Sequence, residues 1–375
     1  MNIPKIRFKG FEEAWKEYKL SDIAIITMGQ SPNSENYTND SNDTLLIQGN
    51  ADLNNGKVIP RLFTKQITKT CDKNDIIMTV RAPVGDIAIS DYNACIGRGV
   101  CSIKSSKFVY HYLDYLKIKD YWKKISKGST IDSITKDDIK SLLIKIPNKQ
   151  EKEKIIKTID LINKKIELQS KKIEDLKLFK KGLNKYIFRN NCCNYQLKEL
   201  LIEYNNKTTN NNEYEILSST ADGIVLQSEY FNKQAASQDT TGYKVVPRGY
   251  ITYRSMSDTG EFHFNEQKIV DFGIVSPAYP VFEINEKIVN KNYILYYMNE
   301  NKDFSNQILS TKEGGTRFAL SFTKLLSLSV KLPNEEEQEN FSKILYSIDK
   351  KIIFENDKLI KLNELKKGLM QNMFV

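Results

Sequence analysis

An internal repeat constrains the fold of this chain more than any other feature. Residues 128–188 align with residues 314–374 at a constant offset of 186 and without a gap, and 21 of the 61 positions are identical. The segments that precede the two copies match far less well. The repeat therefore predicts a chain built as variable segment, repeat, variable segment, repeat, in which one frame carries two different globular parts.

Each copy of the repeat contains a helix-start signal and a long apolar stripe. Asn148 and Asn334 each follow a proline in a helix-capping position, and Glu151 and Glu337 stand three residues later at capping-box spacing. Beyond these signals a stripe recurs at alternating spacings of four and three residues, which is the heptad pattern of a coiled coil. The apolar seam positions are Ile155, Ile159, Ile162, Ile166, Ile173, Leu176, Leu183, Leu345, Ile348, Ile352, Leu359, Leu362 and Leu369.

Two helices with the same seam predict a pair. A helix of roughly 38 residues is about 57 Å long, and it cannot bury such a stripe alone. We expect the two helices to pack against each other in antiparallel fashion. The seam is interrupted by polar residues at matching places, and such residues set register and orientation. These polar positions are Gln169 with Glu355 and Lys180 with Lys366.

A second, minor stripe lies beside the seam at Leu168, Phe179, Phe354 and Leu365. It favours either a site for another protein or a wider internal seam.

The predicted organisation has four segments. Residues 1–147 and 191–333 are globular parts of mixed α/β (α+β) character, with short strands, turns and a tyrosine-rich helix in each. Residues 148–190 and 334–375 are the long helices. The fold expected is thus two globular domains separated by an antiparallel coiled coil, with an internal pseudo-two-fold repeat.

The charge of the chain indicates an anionic partner. The net charge of +9 divides into +5 for residues 1–147, +7 for 148–190, −2 for 191–333 and −1 for 334–375. The basic bias of the first half favours nucleic acid. The second globular part lacks that bias, so it would need a local basic patch or a bound partner to compensate.

Several functional classes are disfavoured by the sequence. The apolar runs are too short for a membrane span, the N-terminus lacks a signal-peptide core, and five scattered cysteines fit a reduced cytosol. Two histidines make a zinc site improbable. The chain contains no phosphate-binding G-x-x-x-x-G-K-[ST] loop and no Pro-Pro dipeptide of an adenine methyltransferase site. We therefore expect no catalytic residues and no metal site.

Candidate contacts to nucleic acid follow from side-chain chemistry. Arginine forks near turns reach guanine edges or phosphates, lysines bind phosphates, and tyrosines pack on sugar or bases. The candidates are Lys57, Arg61, Arg81, Arg98, Ser129, Thr130, Tyr253, Arg254, Tyr279, Lys312, Thr316 and Arg317. For any one of them, the alternative is a solvated surface charge or a core tyrosine.

The chain resembles the specificity subunits of type I restriction–modification systems. The resemblance rests on the opening Pro4-Lys5-Ile6-Arg7-Phe8, on Trp15 and on Leu20-Ser21-Asp22-Ile23-Ala24. It also rests on Ile146-Pro147 with Glu151, on Lys180-Lys181-Gly182-Leu183 with Phe188, and on Val275-Ser276-Pro277-Ala278-Tyr279. The helical motifs return in the second repeat, with Leu332 in place of Ile146.

The resemblance implies a function. Each globular part would be a target-recognition domain for one short half-site in double-stranded DNA, and the helix pair would hold the half-sites a fixed distance apart. Because the two domains differ in sequence, the target would be asymmetric and bipartite. The partners implied are two methyltransferase subunits and restriction subunits in the cytoplasm. These partners would bind S-adenosylmethionine, ATP and Mg, and this chain itself would bind no cofactor.

Two other classes remain open on the residues alone. A coiled-coil scaffold that binds only proteins would explain the helices but leaves two elaborate globular parts without a role. An enzyme is disfavoured by the missing catalytic motifs. Exchange of residues 1–147 separates the first class from DNA recognition, since only a DNA reader would change one half of its motif.

Overall fold

The computed structural model describes residues 3–126, 133–189, 193–230, 239–311 and 317–375. These residues belong to two compact units, of which the first comprises residues 1–171 with 356–375 and the second comprises residues 172–355. Each unit contains one variable segment and half of each long helix, so the four-segment division stays a prediction. The described α-helices are α1 (Leu20–Ile23), α2 (Lys107–Ile118), α3 (Tyr121–Ser126), α4 (Lys136–Lys140), α5 (Lys149–Ile187), α6 (Leu197–Leu200), α7 (Gln227–Tyr230), α8 (Lys291–Glu300), α9 (Lys302–Ser310), α10 (Phe322–Leu326) and α11 (Glu335–Met373).

The first unit is built on two mixed sheets and a separate strand pair. Its strands are β1 (Lys16–Lys19), β2 (Ile25–Met28), β3 (Tyr37–Thr38), β4 (Thr44–Ile47), β5 (Leu53–Asn54), β6 (Lys57–Val58), β7 (Phe63–Thr64), β8 (Thr70–Cys71), β9 (Ile76–Thr79), β10 (Ile87–Ile89), β11 (Ala94–Ile96), β12 (Val100–Lys104) and β13 (Leu143–Ile146). One sheet has the order β2-β12-β9-β10-β6-β5, the other has the order β3-β7-β4-β11-β8, and β1 pairs with β13. A core of apolar residues that includes Ile47, Ile77 and Ile96 contains side chains from both sheets.

The second unit repeats part of this plan. Its strands are β14 (Cys193–Gln196), β15 (Leu201–Glu203), β16 (Glu215–Thr220), β17 (Gly223–Leu226), β18 (Lys244–Pro247), β19 (Ile251–Thr252), β20 (Met256–Ser257), β21 (Asn265–Glu266), β22 (Phe272–Val275), β23 (Val281–Ile284), β24 (Phe318–Ala319) and β25 (Ser329–Leu332). Its sheets have the orders β15-β23-β19-β21 and β17-β16-β22-β18, and β14 pairs with β25 and β20 with β24.

The repeat therefore extends into the variable segments as topology. The four-strand order β15-β23-β19-β21 corresponds to β2-β12-β9-β10, and the pair β14-β25 corresponds to β1-β13. The registers agree as well, because Lys16 lies opposite Ile146 and Cys193 lies opposite Leu332. The mixed α/β class and the internal pseudo-two-fold repeat predicted from the sequence are confirmed.

The two long helices begin with the predicted asparagine caps, but only the second has a reciprocal capping box. The Asn148 and Asn334 side chains accept hydrogen bonds from the backbone N–H of Glu151 and Glu337, each at 2.9 Å. The Glu337 carboxylate in turn accepts a hydrogen bond from the Asn334 N–H at 3.4 Å. The buried Glu151 carboxylate instead binds the Arg7 guanidinium through two contacts of 2.8 Å. Glu151 therefore holds the N-terminal segment through Arg7.

The apolar seam is buried or half-buried at all thirteen predicted positions. In the first unit, Ile155 and Ile159 of α5 share one core with Phe108 of α2 and with Met370 and Met373 near the end of α11. In the second unit, Ile187 near the end of α5 and Leu345 in the first half of α11 belong to one core. The stripe thus packs on the globular part as well as on the other long helix.

The helices run antiparallel where their contacts are seen within one unit. In the second unit, Lys172 of α5 lies 2.9 Å from Glu355 of α11, and Lys180 lies 2.6 Å from Asp349. Moving forward along α5 thus means moving backward along α11. The predicted antiparallel pairing is confirmed.

The lysines that interrupt the seam hold each helix end to a globular part. Lys180 pairs with Glu300 of α8 at 2.6 Å, and Lys366 pairs with Asp114 of α2 at 2.8 Å. Glu300 and Asp114 are themselves separated by the repeat offset of 186, so an equivalent ion pair occurs at both places. These polar positions were expected to set helix register, and the structure shows that they also orient the globular helices α2 and α8.

The two equivalent ion pairs predict unequal losses of stability. Replacing Lys180 with Met leaves the carboxylates of Glu300 and Asp349 without their shared cation, whereas Lys366→Met leaves only Asp114. We expect Lys180→Met to lower the free energy of unfolding by about 2 kcal/mol, and Lys366→Met to lower it by less. Thermal unfolding, with hydrogen exchange of α8 and α2, measures both effects. Equal and negligible shifts would show that these pairs do not hold the globular helices.

Candidate nucleic-acid interface

Two predicted contact residues of the first unit lie on neighbouring strands. Val100, at the start of β12, pairs with Thr79, at the end of β9, and the next backbone N–H, that of Val80, donates to the Gly99 carbonyl at 2.9 Å. Arg98 stands in the turn of residues 97–100, where the Val100 N–H donates to the Gly97 carbonyl at 3.1 Å, and Arg81 forms an isolated bridge with Ser133. Both arginines are exposed, just beyond the ends of the paired strands.

Three glycines bring the backbone close together around Arg98. A Cβ on Gly99 would lie 2.1 Å from the Gln48 carbonyl oxygen, and a Cβ on Gly29 would lie 2.1 Å from the Gly97 carbonyl oxygen. No residue with a side chain fits at Gly29 or Gly99 without moving the backbone. The Arg98 N–H donates to the Ser31 hydroxyl at 3.1 Å, which fixes this turn from the other side.

Arg61 borders the same loop. The buried Asp52 carboxylate accepts the N–H groups of Gln48 and Gly49 at 2.8 and 3.2 Å, which shapes residues 48–52. Arg61 donates to the Ala51 carbonyl at 2.8 Å and remains largely exposed. The structure thus brings Arg61 and Arg98 to the loop of residues 48–52, and the Arg81 backbone follows Val80, which binds Gly99.

Lys57 is not part of this cluster. Its ammonium group lies 2.8 Å from the Glu167 carboxylate on α5, and this carboxylate raises the pKa of Lys57. Both side chains stay exposed, so this surface ion pair links β6 to the long helix, and a phosphate contact by Lys57 stays a prediction.

The second unit presents a cross-strand pair at the corresponding place. Thr252 at the end of β19 lies opposite Val281 at the start of β23. Arg254 lies two residues beyond Thr252, and Tyr279 lies two residues before Val281, in a turn where the Tyr279 N–H donates to the Ser276 carbonyl at 2.9 Å. Burial raises the pKa of Tyr279, and the nearby Arg254 charge partly opposes that rise, so the hydroxyl stays protonated at neutral pH.

Arg254 also borders a recess of about 260 Å³ in the second unit. Asp258 lies on the same recess and forms an ion pair with Arg317 at 2.8 Å. Arg254 is therefore near Tyr279 on one side, and Arg317 reaches the recess through Asp258. The recess is further lined by Ser219, Thr220, Ala221, Met256, Ser257, Thr259, Glu261, Phe262 and His263. Hydroxyl, carboxylate and guanidinium groups on one wall supply both donors and acceptors for the edges of bases.

Tyr253 was predicted as a contact residue, and the structure corrects this. Its side chain is fully buried in the core of the second unit, and its hydroxyl donates to the Leu320 carbonyl at 3.0 Å. The ring packs on Phe264 at a centroid distance of 4.9 Å. Tyr253 holds the core beneath Arg254 and has no surface to offer a base.

The remaining predicted contacts, Ser129, Thr130, Lys312 and Thr316, lie outside the described residues. Sequence reasoning also missed neighbours of the clusters, notably Ser31, Gln48 and Asp258. The glycines around Arg98 in Ile96-Gly97-Arg98-Gly99-Val100 were a readable signal for close backbone approach there, whereas Ser31 and Gln48 come from distant segments.

Across residues 3–126, 133–189, 193–230, 239–311 and 317–375, no cluster of His, Cys, Asp and Glu is arranged to hold a metal ion. None of the helices in these ranges is both long and apolar enough to cross a membrane.

Comparison with known proteins identifies the family. Residues 12–178 and 194–364 each match the type I restriction modification DNA specificity domain, and together they cover most of the chain. The chain therefore belongs to this family, and the resemblance seen in its sequence is confirmed.

Individual relatives agree with the family match. The MjaX specificity subunit assigned to a type I restriction enzyme of Methanocaldococcus jannaschii is 38% identical over 179 residues, which cover 46% of this chain and 42% of the relative. The MjaIX specificity subunit of the same organism is 27% identical over 177 residues, which cover 43% of this chain and 41% of the relative. The matched region thus spans less than half the length of each curated relative.

Solved structures share the fold. The S subunit of a type I restriction–modification system from M. genitalium matches with a TM-score of 0.61 at 17% identity, covering 100% of this chain and 99% of that one. A chain from a study of complex assembly and conformational transition of the type I R-M system matches with a TM-score of 0.57 at 16% identity, covering 98% and 99%.

The buried position of Tyr253 gives a direct test of its role. Tyr253→Phe removes the hydroxyl that donates to Leu320, leaving a buried carbonyl without that donor. We expect the free energy of unfolding to fall by about 1–2 kcal/mol, with DNA affinity unchanged under conditions where the chain stays folded. Denaturant titration and a DNA-binding titration on the same sample check this. A loss of DNA affinity with an unchanged free energy of unfolding would show instead that Tyr253 contacts DNA.

Proposed function

We propose that this chain is the DNA-specificity subunit of a type I restriction–modification enzyme and that it reads an asymmetric, bipartite site in duplex DNA. Family membership supports the general role, since the matched domain is the DNA specificity domain. The observation that carries the proposal is the recurrence of an exposed arginine at the same strand end in both units, Arg81 and Arg254. Guanidinium groups at strand ends suit both phosphate contacts and guanine edges.

The charge of the second globular part stays the weak point of this proposal. Arg254 lines the recess together with Asp258 and Glu261, and Arg317 is paired with Asp258, so the charges at this place balance. We infer that Arg254 meets the second half-site through a specific contact and that a bound partner supplies the additional positive potential.

The long helices set the separation of the half-sites in this proposal. Their length follows from 39 residues each, and Lys180 and Lys366 hold them to globular helices. A rigid connection of that kind favours a spacer of fixed length between two half-sites.

The catalytic work belongs to partners in this proposal. We infer that two methyltransferase subunits, and restriction subunits in the full enzyme, assemble with this chain in the cytoplasm. These partners would carry S-adenosylmethionine, ATP and Mg. The minor-stripe residues Leu168, Phe179, Phe354 and Leu365 are each more than half exposed, which supports a docking role over a wider internal seam. Equivalent residues on two repeats suit two copies of one partner.

Selection from a random duplex library tests the proposal. The purified full chain, together with the methyltransferase subunit of its host, should enrich a two-part motif with unlike halves and a constant gap. Affinity should fall as salt rises, with a slope of about −0.9 for each phosphate contact. Partner binding without any enriched motif would favour the protein-only scaffold.

Segment exchange tests the division of labour between the units. Replacing residues 1–147 with the matching segment of a family member of known target should change the first half-site and leave the second unchanged. The graft must keep Arg7 for Glu151 and Asp114 for Lys366, because these ion pairs hold the segment to the helices. The selected motif, read before and after exchange, is the measurement. A motif changed in both halves would contradict independent reading.

A further inference from the structure

The two units differ at one side chain beside an arginine that they share. Arg81 and Arg254 follow corresponding strands, β9 and β19, and each stands two residues after a fully buried threonine. Val100 and Val281 pair with these threonines, and the residue two positions before each valine is Arg98 in the first unit and Tyr279 in the second. The arginine is thus common to both units, whereas the residue at this second position is a cation in one and a phenol in the other.

We propose that Arg98 and Tyr279 are the corresponding specificity-determining residues of the two units, and that Arg81 and Arg254 bind what both half-sites have in common. This proposal rests on the proposed function and deepens it. The shared arginines contact backbone phosphate or a common base pair, whereas Arg98 or Tyr279 decides which neighbouring base pair is accepted.

The chemistry of the two side chains separates the bases that they accept. An arginine fork donates two parallel hydrogen bonds to O6 and N7 of guanine, a pattern that no other base offers in the major groove. A tyrosine offers one hydroxyl and an apolar ring edge. The Tyr279 hydroxyl stays protonated because burial raises its pKa, so it remains a donor. We therefore expect a guanine in the first half-site where the second has a different base.

The surroundings of the two residues differ in how far they use the side chain. Arg98 is held through its backbone N–H, which donates to Ser31, and its side chain is exposed. The backbone N–H of Tyr279 donates to Ser276 at 2.9 Å, and its half-buried ring packs against the small core that contains Val275 and Val281. The close approaches that need glycine are at Gly29 and Gly99, which the exchange leaves intact.

The experiment is reciprocal exchange, read by selection from a random duplex library with the full chain and its methyltransferase subunit. In the Arg98→Tyr variant we expect preference for one base in the first half-site to fall about tenfold, with the second half-site unchanged. In Tyr279→Arg the change should fall in the second half-site alone, toward guanine. Arg98→Lys keeps the charge and can still donate to O6 and N7 of guanine but lacks the planar fork, so it should weaken the preference less than Arg98→Tyr does.

Matched variants separate specificity from general binding. Arg81→Ala and Arg254→Ala should weaken binding without changing which base is preferred opposite Arg98 or Tyr279. Arg248→Tyr is the control for the chemical change, because Arg248 is exposed, binds Asp271 at 3.1 Å and lies on another strand connection. It should leave both half-sites as they are.

The outcomes distinguish this inference from the function beneath it. If the unaltered chain selects a bipartite motif and Arg98→Tyr weakens all sequences equally, Arg98 is a phosphate contact and the inference is overturned while the function stands. If Arg98→Tyr and Tyr279→Arg both leave the motif unchanged, the inference is likewise overturned. If the unaltered chain selects no motif, the proposed function fails and the inference fails with it. Circular dichroism and thermal unfolding of each variant confirm that the folded chain is being compared.

Discussion

The burial of one apolar stripe on each long helix is the constraint on which the rest of the structure depends. A helix of 39 residues with a stripe on one side must cover that stripe, and here it does so against the other helix and against the globular cores. Apolar burial alone would tolerate sliding along the seam. Lys180 and Lys366 oppose sliding, because each cation stands in the seam and finds its carboxylate on a globular helix. Apolar packing stabilises the long helices, and the two ion pairs fix their position along the seam.

The starts of the two long helices show how equivalent residues of the repeat have taken different partners. Asn148 and Asn334 cap their helices in the same way, but the Glu151 carboxylate binds Arg7 instead of completing a capping box. A side chain that satisfies a helix end in one copy of the repeat holds the N-terminal segment in the other. Duplicated frames thus diverge by giving new partners to residues whose position is already fixed. The candidate interface shows the same kind of divergence, because Arg98 in the first unit corresponds to Tyr279 in the second.

Part of the candidate interface was readable in the sequence, and part was not. Arg81 and Arg254 were identified because each follows a strand-like segment and precedes a turn. Tyr253 was misplaced because Ile251, Thr252 and Tyr253 are all fully buried, so the strand lacks the alternation that tells an inward residue from an outward one. The ion pair of Lys57 with Glu167, 110 residues away, could not be read from the sequence. The ion pairs with Asp114 and Glu300 were within reach of sequence reasoning, since these two residues obey the repeat offset.

The sequence by itself determined the long helices, their caps, their antiparallel pairing and the family, because these depend on local periodicity and on a repeat along the chain. Tertiary structure decided which side chains stand next to each other at the ends of the sheets. Strand register is a long-range property, and a shift of one residue would move every side chain to the opposite face. The equivalent placement of Arg98 near Arg81 and of Tyr279 near Arg254 therefore followed only from the pairing of β9 with β12 and of β19 with β23.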